Sequence, residues 1–68
     1  MEAWVIKNED DLYFYKFSRG EALFVYELFA AAIWNDKNDI EEFFDTALEK
    51  HFKDCRIIKL EIREVADE

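Results

Sequence analysis

Two short runs of strand-favouring residues open the chain, Ala3-Trp4-Val5-Ile6-Lys7 and Leu12-Tyr13-Phe14-Tyr15-Lys16-Phe17. Between them lies a polar cluster, Asn8-Glu9-Asp10-Asp11. Strand, four-residue turn, strand predicts a β-hairpin. The turn lacks glycine, but Asn and Asp tolerate left-handed backbone and hydrogen-bond their own main chain. Simple alternation along the second run puts Leu12 and Phe14 on one face and Tyr13, Tyr15 and Phe17 on the other. Both faces are then apolar, and the hairpin is expected to be covered on both sides.

Ser18-Arg19-Gly20-Glu21 fits a capping box, in which the Ser hydroxyl and the Glu carboxylate satisfy each other's exposed amides. Behind it, residues 22–32 are apolar around nearly a whole helical circumference, which predicts a first helix buried on several sides. Ala32-Ile33-Trp34 either finishes that helix or forms a short strand. After the break at Asn35-Asp36-Lys37, Asn38 is expected to cap a second helix, with Asp39, Glu41 and Glu42 in its positive first turn. Ile40, Phe43, Phe44, Ala47, Leu48, His51 and Phe52 recur at helical spacing, and Lys50 and Lys53 lie near the negative end.

The closing residues, 56–65, alternate. Ile58, Leu60 and Ile62 face one way and Lys59, Glu61 and Arg63 the other, with Ile57 and Val65 the apolar members of the outer set. A half-buried antiparallel strand accounts for this pattern. The expected architecture is a single α+β domain over residues 1–68, in the order β-β-α-α-β. It has a small antiparallel sheet, an extra short strand near Ile33 as the open alternative, and two helices on one face.

Composition changes this picture in two ways. At 68 residues the core is small, yet 51% of the chain is apolar and 18% aromatic. Each buried aromatic removes roughly 150–250 Å² from water. Two Trp, three Tyr and seven Phe exceed what one such core encloses, so some are expected on the surface, as contacts for a partner or a second copy. Charge narrows the partner. Seventeen acids against nine bases give a net of −8, and the bases are dispersed. Binding to phosphate backbone or anionic lipid requires clustered Lys and Arg, so neither nucleic acid nor membrane is an expected partner.

One cysteine, Cys55, permits no internal disulfide, which suits a reducing cytoplasm. The N-terminus shows no basic region leading into an apolar stretch. The longest apolar run, 22–34, is broken by Glu27 and falls short of the about 20 residues that a bilayer crossing needs. Cytoplasmic localisation is the expectation.

Chemistry-bearing residues are few. His51, on the apolar stripe of the second helix, would need a nucleophile or an orienting acid to act as a base. The hydroxyls on offer are Ser18, assigned to the cap, and Thr46. Cys55 has Lys53 and Arg56 nearby, which favour a thiolate, but at a helix-to-strand junction a packed thiol is the expected reading. Zinc wants four Cys or His ligands at tight spacing, and the chain has one of each. Asp10-Asp11 lacks the alternating acids and Gly of a calcium loop. With a single Gly there is no phosphate-cradling loop either. No catalytic residue, cofactor or metal is expected.

Two surfaces remain. Asp39, Glu42, Asp45 and Glu49 form an acidic row on the second helix, either a solvated face or a negative stripe that steers a basic partner. Tyr13, Tyr15 and Phe17 form an aromatic surface, unless the first helix covers them; Tyr and Trp concentrate at binding hot spots.

The opening Trp4-Val5-Ile6-Lys7-Asn8-Glu9-Asp10-Asp11-Leu12-Tyr13 and the closing stretch from Asp54-Cys55-Arg56 to Glu64-Val65 resemble small uncharacterised proteins encoded by phages and prophages of Gram-positive bacteria. Glu41-Glu42-Phe43 matches the helix core of such proteins. In them the stretch before that helix is often a strand, which favours the β reading of Ala32-Ile33-Trp34. The dense apolar run at 22–31 departs from their pattern. The resemblance implies a phage setting; it implies no activity and no functional residue.

The expectation is therefore a non-enzymatic module that binds a protein partner, a host protein in the phage setting, through the acidic or the aromatic surface. A self-assembling structural domain, with the aromatic excess buried in a homodimer, is the alternative.

Overall fold

A computed structural model of the chain describes residues 2–61. The hairpin forms between β1 (Glu2–Lys7) and β2 (Tyr13–Ser18), and its turn shows how the missing glycine is replaced. The Asn8 side-chain oxygen accepts from the amides of Asp10 at 3.0 Å and Leu12 at 2.9 Å. Asp11 takes the left-handed conformation, at φ 63°, which Asp adopts more readily than most residues. Arg56 then fastens the turn to the last strand, donating to the Asp11 carboxylate at 2.7 Å and to the Asn8 carbonyl at 3.2 Å.

The first predicted helix is absent. In its place Glu21–Val25 forms a third strand, β3, antiparallel to β2. A 3-10 turn at Leu28–Ala30 follows it. Ser18 and Glu21 are not a capping box but the pair that closes a two-residue hairpin turn. Both turn residues have positive φ, Arg19 at 53° and Gly20 at 79°, the combination whose twist matches that of the flanking strands. Arg at such an angle costs about 1–2 kcal/mol. The apolar residues on either side offset that cost: Ala22 and Phe24 pack against the core, while Leu23 and Val25 alternate away from it. The apolar run satisfies a helix and a strand equally well by hydrophobicity, and the turn decides between them.

A bulge at Tyr15 overturns the alternation expected for β2. Phe14 pairs with Phe24, but Lys16, not Tyr15, pairs with Leu23, and Phe17 with Ala22. One extra residue rotates everything beyond it by one position. Phe17 therefore lies on the same face as Phe14, with ring centroids 5.1 Å apart, and is separated from Tyr13 and Tyr15.

The sheet runs β3-β2-β1-β4, with β4 (Arg56–Glu61) antiparallel to β1. Between β1 and β2 the ladder is registered only at Lys7 and Tyr13. Farther out the two strands splay, and the stretch 32–34 fills the gap. Trp34 exchanges backbone hydrogen bonds with Trp4 at 2.8 and 2.9 Å, and Ala32 donates to the Phe14 carbonyl at 3.0 Å. The β reading of this stretch thus holds as a single bridge.

The amphipathic helix, α1, spans Lys37–His51. Its cap is Asp36, not Asn38: the Asp36 carboxylate accepts from the amides of Asn38 at 2.8 Å and Asp39 at 3.3 Å. The helix lays Ile40, Phe43, Phe44 and Ala47 onto one face of the sheet, where Trp4, Ile6, Phe14 and Phe52 complete the core. On β4, Ile57 joins this helix-side core instead of an outer set, because it pairs with Ile6. Ile58 and Leu60 lie beside Val5 and Ala3 on the opposite face. The expected continuation through Ile62, Arg63 and Val65 lies outside the described residues. Among the described residues the fold is α+β, with a four-stranded antiparallel sheet and one α-helix where two were expected.

Candidate protein-binding groove

Three elements meet at one end of the helix-side face. The bulge delivers Phe17 there, its ring centroid 5.8 Å from Phe43 and 4.6 Å from His51. The backbone pairing with Trp4 delivers Trp34, whose ring lies 5.1 Å from Phe43. Helical spacing then puts Asp39, Glu42, Phe43, Thr46 and Ala47 along a single flank of α1. Together these seven residues line a groove of about 500 Å³. Its aromatic wall is Phe17, Trp34 and Phe43, and two carboxylates, Asp39 and Glu42, supply its charge. The Thr46 hydroxyl donates to the Glu42 carbonyl at 2.8 Å, so it braces the helix and is engaged there.

Among the described residues, some acids are paired with a cation and others are not. Asp11 is paired with Arg56 at 2.7 Å and with Lys7 at 3.8 Å, and Glu2 with Lys59 at 2.8 Å. The hydrogen bond from Arg56, with the charge of Lys7 beside it, holds the Asp11 carboxyl below the usual range. Lys59 does the same for Glu2, and Glu2 in turn raises Lys59. Asp39, Glu42, Asp45 and Glu49 are exposed, and among the described residues no cation pairs with them. Asp39 in the first turn of α1 is favoured there by the helix dipole.

Of the seven residues expected to bind, Phe17, Asp39 and Glu42 come together. Asp45 does not line the groove, and Glu49 lines a separate depression with Leu48 and Lys53. Tyr13 lies under the Lys7 ammonium, 5.0 Å from its ring centre, and Tyr15 near that of Lys16, at 5.2 Å. The proposed aromatic trio is thus divided by the bulge. Trp34 and Phe43 were not singled out as binding residues. Phe43 sits on the apolar stripe and reads as core, and Trp34 follows a stretch whose conformation the pattern leaves open.

A second cleft, of about 290 Å³, collects Asp10, His51 and Cys55 with Lys50, Lys53 and Asp54 among its walls. It does not assemble a nucleophile. The Cys55 thiol lies 4.0 Å from the His51 backbone carbonyl, in place to donate to it and not to the imidazole. Burial raises the Cys55 pKa above its ordinary value, and the charge of Asp54 adds to the rise. The imidazole packs on Phe17, in the last turn of α1. Among the described residues no group of three His, Cys, Asp or Glu side chains is placed to hold a metal ion. No helix there is long and apolar enough to cross a membrane.

Comparison with protein-family models, with curated proteins and with solved structures gives no match for this chain.

Proposed function

We propose that this chain is a non-enzymatic protein-binding module, and that its groove takes a segment of a partner protein carrying a cationic side chain beside an apolar one. The observation that carries the reading is the placement of two carboxylates, Asp39 and Glu42, without an ion-pair partner among the described residues, against an aromatic wall of Phe17, Trp34 and Phe43. Each part has a separate physical role. The carboxylates attract Arg or Lys and repel phosphate, so they speed encounter and select against anionic partners. The rings supply the contact area from which affinity comes, and their faces favour a guanidinium or ammonium group. In the phage setting that the terminal motifs resemble, the partner is a host protein.

Affinity capture from a bacterial lysate at low and high salt tests this. Charge reversal at Asp39 and Glu42 is expected to abolish capture, as is Phe17→Ala, while reversal at Asp45 and Glu49 leaves it unchanged. Capture weakens with salt. If reversal at Asp39 and Glu42 matched reversal at Asp45 and Glu49 in its effect, the groove would not be the binding site.

A further inference from the structure

The two edges of the sheet differ in kind. The β4 edge carries Arg56, Lys59 and Glu61, charges of the sort that discourage strand addition. The β3 edge carries none between Glu21 and Glu27: residues 22–26 read Ala-Leu-Phe-Val-Tyr. Among the described residues, no hydrogen bond outside the β2 ladder reaches the backbone of Glu21–Val25. An extended, uncharged edge of this type is a template for another strand. Beside it stand the most exposed aromatics of the described chain, Tyr26 and Phe29, each 85% exposed.

We infer that the occupant of this edge is the β3 strand of a second copy, paired antiparallel about a two-fold axis at Leu23. Hydrogen-bond parity and charge select this register. In a two-residue hairpin the residues flanking the turn bond to each other, and the pattern alternates from there. Glu21, Leu23 and Val25 thus bond to β2, and Ala22 and Phe24 direct their amides and carbonyls outward. A dyad at Leu23 places Ala22 opposite Phe24 of the second copy, so that the outward groups meet, and sets the two Leu23 side chains against each other. Continued past the ends of β3, the same register brings the turn residue Arg19 of each copy toward Glu27 of the other. Neither has an ion-pair partner among the described residues.

The same continuation directs Tyr26, at the bend after β3, toward Gly20 of the second copy, and the space above Gly20 is open, with no atom within 4 Å of where a Cβ would stand. A dyad at Phe24 also satisfies the parity, but it sets Glu21 opposite Glu27 twice over, and like charges directly opposed are unfavourable. Parallel pairing in register places each Glu beside its own copy. The result is a continuous eight-stranded sheet whose dimer contact is separate from the groove, so it stands whether or not the groove binds a partner.

Sedimentation equilibrium from micromolar to millimolar concentration tests this. The expected result is a monomer–dimer equilibrium that Leu23→Lys abolishes by setting two lysines together. Arg19→Glu and Glu27→Arg each convert two attractions into two repulsions, and each is expected to weaken the dimer roughly tenfold. The double exchange, R19E with E27R, restores it. Because Arg19 sits in the turn, circular dichroism accompanies each variant, and Glu27→Arg alone decides the matter if R19E loses the hairpin. Amide exchange gives an independent reading: protection of Ala22 and Phe24 rises with concentration, while that of Leu23 and Val25 does not. A monomer across the whole range would overturn the inference, as would a dimer indifferent to both E27R and L23K.

Discussion

Inserting an alanine between Leu23 and Phe24, opposite Tyr15, tests the step on which the groove depends, because the bulge contributes a residue count and not a particular side chain. With a residue opposite Tyr15, the pairing runs through without interruption and simple alternation along β2 returns. Phe17 and its partner Ala22 rotate to the face opposite Phe14, and Lys16 and its partner Leu23 turn toward the helix. Phe17 is 38% exposed, so roughly three-fifths of it is buried against Phe14, Phe43, His51 and Phe52. Full burial of a Phe side chain contributes about 1.5–3 kcal/mol, so the lost share is about 1–2 kcal/mol. Directing the Lys16 side chain at an apolar face adds about 1–3 kcal/mol more. Leu23, turned toward the helix with Lys16, returns about 1 kcal/mol by burial, so the net is about 1–4 kcal/mol, a large fraction of the stability of roughly 3–10 kcal/mol expected for a domain this size. Tyr15→Ala keeps the residue count, removes a side chain that is already 41% exposed, and is expected to cost about 1 kcal/mol. Urea unfolding gives the difference between the two variants. The His51 ring-proton shift gives the mechanism, since that imidazole sits 4.6 Å from Phe17 and loses the ring current when Phe17 turns away. If the insertion cost no more than Tyr15→Ala and left the His51 shift in place, the bulge would not be what positions Phe17.

Other outcomes follow from the same contacts. Phe52, fully buried, capping α1 and packed against Phe14, Phe17, Phe43 and Phe44, is expected to cost about 3–5 kcal/mol on replacement by Ala, read as a lowered urea midpoint. Asp11→Asn keeps tolerance for the left-handed turn but removes the charge that Arg56 and Lys7 hold. The folded-state pKa of Asp11 is depressed, so its stabilising effect is complete above the unfolded value and disappears as pH falls through the folded one. The stability gap between wild type and Asp11→Asn therefore closes in acid, and a gap constant from neutral to strongly acidic pH would contradict the ion pair. Cys55, with its pKa raised chiefly by burial, is expected to react with a thiol reagent at neutral pH more slowly than a free cysteine does; faster reaction would mean an activated thiolate.

The elements whose residues differ clearly from one face to the other were legible before the structure. The amphipathic helix and the last strand carry a period that their burial enforces, while the first hairpin, with β1 buried on both faces, was legible from its strand-favouring runs and the Asn and Asp of its turn. The cap of α1 moved from Asn38 to Asp36 because either residue can accept the first amides, and only the backbone path chooses. Residues 22–31 were not legible, since a stretch apolar on every side has no period to read. The deciding feature was the Arg19-Gly20 turn, which lies between two aromatic runs but lacks the Asn or Asp that usually marks such turns. The bulge left no sequence signal at all. It therefore hid half of the site: Phe17, Asp39 and Glu42 were each named as binding residues, but nothing in the alternation could bring Phe17 to the helix. Trp34 was hidden likewise, because its position depends on a gap that opens only when β1 and β2 splay.

The most direct test of the groove is a titration of isotope-labelled protein with a short peptide carrying Arg next to Leu, followed by NMR. Shifts are expected to concentrate on the Trp34 indole and on the Glu42, Thr46 and Ala47 amides. They should weaken with added salt and vanish when Glu replaces Arg in the peptide. Shifts of equal size with the Arg and Glu peptides, or confined to residues outside the groove, would contradict the account.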